Sequence, residues 1–174
     1  MENFVEKNRN GKELIKLIIA DDDTSVSSAI HLLLDQDQDC WQVLGEARNV
    51  NELYLVVEQQ QPQLILLDWE LPEESWMDVS SQNFCLKDRI SYLRKLNPKV
   101  SIIVLSSKPE QRNAVIEAGA DSFVCKGDPP EFLQHALYAL CEEPSVQFDG
   151  LKIPKSKQHI FAPFNIIHSL PIQI

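Results

Sequence analysis

The four cysteines of this 174-residue chain, Cys40, Cys85, Cys125 and Cys141, form no C-x-x-C pair. The histidines His31, His135, His159 and His168 show no metal-ligand spacing. These absences argue against a zinc site or a disulfide framework, and for reduced thiols in a cytoplasmic protein. No apolar run approaches the ~20 residues of a membrane span, so no membrane partner is expected. Residues 1–12 are polar and mixed in charge, unlike a secretory leader. Positive charge is scarce: Lys and Arg number 16 against 26 Asp and Glu, for a formal net charge of −10. So acidic a chain is not expected to bind nucleic acid. There is no internal repeat and no low-complexity tract. The hydrophobic fraction, 44%, suffices for a real core, and the length suits one domain with a tail.

Short apolar runs alternate with segments of helical period, which argues βα units and a parallel sheet. The runs are residues 14–20, 41–47, 64–68, 100–105 and 122–125. After the first, Val26, Ala29, Ile30 and Leu33 recur at helical spacing. The next helix carries Leu53, Leu55, Val56 and Val57. A third, near 84–96, carries Ile90, Leu93 and Leu96, and Asn97-Pro98 stops it. The fourth, near 109–118, ends at Gly119, suited to a left-handed cap. The fifth opens at Asp128-Pro129-Pro130-Glu131, with proline in the first turn, and runs through Leu133 and Leu137. The expectation is an α/β fold: a doubly wound, five-stranded parallel sheet with five helices in three layers. Residues 1–13 would be an N-terminal extension, 14–143 the domain, and 144–174 an irregular C-terminal tail.

Three acids stand at the ends of apolar runs. Asp68 closes Leu64-Ile65-Leu66-Leu67, and Asp21 and Asp22 follow Ala20. A buried parallel strand reads as a continuous apolar segment, and ligands of open α/β sheets bind beyond the carboxyl ends of the strands. Acids ending neighbouring strands would crowd negative charge into one crevice. Oxygen-only ligands of that kind suit Mg²⁺.

Four segments now fall into a pattern: Leu17-Ile18-Ile19-Ala20-Asp21-Asp22, Ile65-Leu66-Leu67-Asp68-Trp69-Glu70-Leu71-Pro72, Val104-Leu105-Ser106-Ser107, and Ala118-Gly119-Ala120-Asp121-Ser122-Phe123-Val124-Cys125-Lys126. In this order, each at a strand end, they resemble the receiver domain of response regulators in two-component signalling. The resemblance implies strand order 2-1-3-4-5. It implies that Asp68 accepts a phosphoryl group from the phosphohistidine of a sensor histidine kinase or phosphotransfer protein. It implies Mg²⁺ held by Asp21, Asp22, Asp68 and the backbone carbonyl of Glu70. Lys126 would pair with Asp68, and Ser106 would reach a phosphoryl oxygen after transfer. Ser106 and Phe123 would be the switch residues. Glu70 and Lys108 would tune the phosphate lifetime, as an ion pair across the mouth or as two solvated side chains. Asp23 makes the register of the acidic pair ambiguous. Taking Asp21/Asp22 keeps Asp35 out of the core, and leaves Asp23 as a solvated acid near the helix start.

Three features depart from the family pattern. Residues 73–83 form a long segment after Pro72, read either as a solvated loop or as a partner contact anchored by Trp76 and Met77. Gly127 follows Lys126 where many relatives have proline, and is expected to supply a permissive backbone. No recognisable output domain follows residue 143, although Val43-Leu44-Gly45-Glu46-Ala47 and the segment after Lys126 resemble receivers usually joined to a helix-turn-helix. The tail is apolar and basic, and is expected to pack back on the domain or build a homodimer. The chain is not expected to be an enzyme beyond its own phosphotransfer and dephosphorylation. The readings open beside this one are a phosphorylation-independent pseudo-receiver scaffold, a Mg²⁺-dependent phosphatase, and a transcription regulator lacking its DNA-binding domain. The downstream target is not legible in the residues.

Overall fold

Each of the five apolar runs is a strand, and each is followed by a helix. The computed structural model describes residues 13–38, 40–73 and 85–141, with nothing said of the side chains of Leu140 and Cys141. The strands are β1 (Ile15–Ala20), β2 (Trp41–Ala47), β3 (Leu64–Asp68), β4 (Ser101–Ser106) and β5 (Ser122–Cys125). The helices are α1 (Thr24–Leu34), α2 (Val50–Gln60), α3 (Leu86–Leu96), α4 (Arg112–Glu117) and α5 (Pro130–Cys141). All strand pairs are parallel, in the order β2-β1-β3-β4-β5. The expected fold is the observed one.

Alternation along the strands sorts the core into two layers. Ile18, Ala20, Ile65, Leu67, Ile102 and Val104 meet α2, α3 and α4 on one face. Leu17, Ile19, Leu64, Leu66, Ile103 and Leu105 meet α1 and α5 on the other. The central strands are therefore buried on both sides, which is why they read as unbroken apolar runs.

Local chemistry sets the helix ends. Asp23 caps α1 by accepting from the Ser25 N–H at 2.7 Å, and Asn49 caps α2 through the Glu52 N–H at 2.8 Å. α3 ends at Leu96; Asn97, before Pro98, is extended at φ −141°. Gly119 after α4 has φ +101°, a conformation that a side chain would strain.

Several details differ from the periodicity. On α1, Ala29 is exposed and Ser27 takes its place in the interior. On α2, Leu55 is 56% exposed. The segment at 109–118 divides into a 3-10 turn (Pro109–Gln111) and a short α4. β4 starts one residue later than its apolar run and takes in Ser106. Gly127 has no positive φ, and a Cβ there would meet only the Cys125 Sγ at 4.0 Å. The glycine sits there without strain, as expected, and its backbone does not demand it. The N-terminal extension before residue 13, most of the 73–83 segment with Trp76 and Met77, and the 144–174 tail lie outside the described residues.

Candidate functional site

Strand register assembles the site. Ala20 pairs with Leu67, so the next residues, Asp21 and Asp68, emerge side by side at the carboxyl ends of β1 and β3. β1 and β3 are the point where the strand order reverses, where open α/β sheets bind ligands. Asp68 also pairs with Leu105 of β4, which brings Ser106 alongside. The Lys126 N–H donates to the Ser106 carbonyl at 2.8 Å, continuing the β4–β5 ladder and directing Lys126 to the same edge.

Asp21, Asp22 and Asp68 each place a carboxylate oxygen within 4.8 Å of the others. Asp21 and Asp68 are buried, at 2% and 4% exposure, whereas Asp22 is exposed. Asp21 Oδ1 accepts from the Asp23 N–H at 3.0 Å. Its Oδ2 touches Lys126 Nζ at 2.7 Å but accepts no aligned hydrogen bond. Lys126 Nζ also meets Asp68 Oδ1 at 2.9 Å. One ammonium thus serves two buried carboxylates. The contact with Asp21 was not foreseen in the sequence, although the β1–β3 register requires the two acids to be neighbours.

The electrostatics reflect this crowding. Burial raises the pKa of Asp21; the adjoining Lys126 ammonium and the Asp23 N–H pull it down, and the Asp68 charge pushes it up, leaving it above the ordinary value. Burial opposes the charge on Lys126, but Asp21 and Asp68 outweigh it and hold its pKa above the ordinary lysine value. A divalent cation fits this donor set. It would take up the unaligned Asp21 Oδ2 and relieve the repulsion among three hard oxygen donors.

The remaining residues border the crevice. Asp23 caps α1 and takes no place in the three-acid cluster. The Ser106 hydroxyl donates to Gln111 Oε1 and accepts from the Lys108 N–H at 3.1 Å. Gln111 carries no motif and was missed. Glu70 stands on the turn closed by the Leu71 N–H to the Asp68 carbonyl, 3.4 Å. Its side chain meets the Lys108 ammonium, so the solvated alternative for this pair is not what forms. The bond lowers the Glu70 pKa and raises that of Lys108. Phe123 is buried at 3% exposure, and the Arg112 guanidinium lies 5.0 Å from its ring centroid, another contact without a sequence signal. Trp69 is half-buried against the core.

The chain is similar to known proteins. A family model described as the response regulator receiver domain matches residues 17–138. The phosphate regulon transcriptional regulatory protein PhoB of Pseudomonas aeruginosa is 30% identical over 127 residues, 71% of this chain and 50% of that protein. The uncharacterized transcriptional regulatory protein YhcZ of Bacillus subtilis is 31% identical over 121 residues, 68% of this chain and 51% of that one. Among solved structures, RcsB from Salmonella enterica serovar Typhimurium, bound to promoter rprA in the presence of phosphomimetic BeF3-, superposes with a TM-score of 0.62 at 26% identity, over 73% of this chain and 61% of that one. The non-phosphorylated receiver domain of RcsB from Escherichia coli gives a TM-score of 0.61 at 27% identity, over 74% and 94%. The chain spans about half the length of the curated relatives it matches.

Proposed function

The chain belongs to the response regulator receiver domain family of two-component signalling, and on that premise we propose that Asp68 is its phosphoryl acceptor. The observation that carries the reading is Lys126 Nζ at 2.9 Å from Asp68 Oδ1, inside a cluster of three carboxylates. A carboxylate oxygen of Asp68 attacks the phosphorus of a phosphohistidine on a sensor histidine kinase or phosphotransfer protein. The P–O bond forms as the P–N bond breaks, and the electron pair returns to the imidazole, which takes a proton from solvent. Lys126 neutralises charge on the acyl phosphate, and the Ser106 hydroxyl turns to a phosphoryl oxygen. Asp21, Asp22, Asp68 and the Glu70 carbonyl would hold Mg²⁺, which when bound neutralises the crowded oxygens. The Glu70–Lys108 pair screens the mouth from the hydrolytic water. In this reading the chain is a signalling acceptor rather than an enzyme.

Ser106 and Phe123 carry the change of state to a protein partner, in a cytoplasmic setting. No helix among the described residues is long and apolar enough to cross a membrane. The expectation of no nucleic acid is not kept, because the chain's relatives conflict with it. PhoB and YhcZ are named as transcriptional regulators, and RcsB is solved on promoter DNA. A regulator of transcription carrying this receiver is therefore the second reading.

Intact mass after incubation with acetyl phosphate and Mg²⁺ tests the proposal. One phosphoryl adduct is expected on the wild type, and none on Asp68→Asn or without Mg²⁺. No adduct on the wild type, together with no binding of beryllofluoride, would leave a phosphate-independent scaffold.

A further inference from the structure

The 3-10 turn before α4 holds one of the residues assigned to the switch: Gln111 Oε1 accepts the hydrogen bond of the Ser106 hydroxyl. We infer that Gln111 is a clamp on Ser106 that stabilises the phosphoryl-free arrangement and so sets how readily the site accepts a phosphoryl group. The inference rests on Asp68 being the acceptor and concerns the regulation of that same site.

A serine hydroxyl has one proton to donate. Ser106 spends it on Gln111 while accepting from the Lys108 N–H at 3.1 Å. It cannot donate to a phosphoryl oxygen at the same time, so the Gln111 amide and the phosphoryl group compete. Ser106 is 2% exposed, so water is poorly placed to substitute for either partner. Gln111 is itself fixed by the 3-10 turn, where its N–H donates to the Lys108 carbonyl at 3.1 Å. Proline at position 109 stiffens that turn.

Release of Ser106 requires the turn before α4 to give way. α4 is suited to the motion: it has six residues and buries only Val115. Elements with few buried apolar contacts open first.

The test is a titration of beryllofluoride with Mg²⁺, read by tryptophan fluorescence, Trp69 lying next to Asp68. The proteins are the wild type, Gln111→Met, Ser106→Ala and the double variant. Gln111→Met keeps the length and loses the acceptor, and is expected to tighten binding about five-fold. Gln111→Ala, which shortens the side chain as well, should tighten it in the same direction. In the Ser106→Ala background Gln111→Met should change nothing, because no proton is left to compete for. Unchanged or weaker binding by Gln111→Met, or an equal effect with and without the Ser106 hydroxyl, would overturn the clamp and leave the acceptor reading standing. Failure of the wild type and every variant to bind would overturn both.

Discussion

At the amino end of the sheet, inward-turned polar groups find partners; at the carboxyl end they are crowded together. Asn97, 8% exposed, donates from Nδ2 to the Pro62 carbonyl at 2.7 Å. Asp121 Oδ2 accepts from the Ile102 N–H at 2.7 Å and from Arg94 Nη2 at 2.9 Å. Arg94 also reaches the Gly119 and Val100 carbonyls, at 3.0 and 3.2 Å. These bonds tie α3 to the loops that enter β3, β4 and β5. Across the sheet, Asp21 and Asp68 are buried beside each other with one ammonium between them, and Asp21 Oδ2 accepts no aligned bond. The first arrangement lowers the energy of the fold as it stands. The second stores repulsion that a cation or a phosphoryl transfer can relieve. A buried polar group marks a scaffold when its bonds are complete, and a site when they are not.

The sharpest way to break the contrast is to cut the amino end. Asn97→Ala leaves the Pro62 carbonyl without its partner, and should cost about 1–3 kcal/mol in urea unfolding. Phosphoryl uptake by the folded protein should be unchanged. If uptake falls with stability, the two ends are not independent.

A smaller effect comes from pH. The raised pKa of Asp21 means that the folded state binds its proton more tightly than the unfolded chain does. Its contribution to stability is therefore fully present below the unfolded pKa, and is lost as pH rises through the folded one. Without Mg²⁺, the melting temperature of the wild type should decline relative to Asp21→Asn from about pH 4 upward. A parallel pair of curves would remove the stored repulsion from the account.

The smallest effect belongs to the exposed rim. Lys108→Ala breaks the bond to Glu70, and should leave stability unchanged while speeding loss of the phosphoryl group about two- to five-fold. An unchanged decay by intact mass would mean that the pair does not screen water.

Much of this was legible in the sequence. Continuous apolar runs located the five strands, because burial on both faces removes the polar alternation. Asp21, Asp22 and Asp68 could be found because they stand at, or within two residues of, strand ends, and Ser106 and Lys126 because their segments resemble the receiver pattern. Gln111 and Arg112 could not. They are ordinary polar residues on a turn, and their meaning comes from which atoms they reach. Asn97 read only as a helix stop, since its partner, Pro62, is 35 residues away. Ala29 and Leu55 were misplaced because a helix face is set by what packs against it, and spacing alone does not fix that boundary.

The most direct test is thermal unfolding of wild type, Asn97→Ala and Asp22→Asn, with and without saturating Mg²⁺. Asp22 is exposed, so its loss should change metal-free stability by less than about 0.5 kcal/mol. At a hundred-fold excess over its dissociation constant, Mg²⁺ should add about 2.7 kcal/mol to the wild type. The account predicts the same gain for Asn97→Ala and a far smaller one for Asp22→Asn. An equal gain in all three would contradict it, because the cation would then be binding somewhere other than the carboxyl-end cluster.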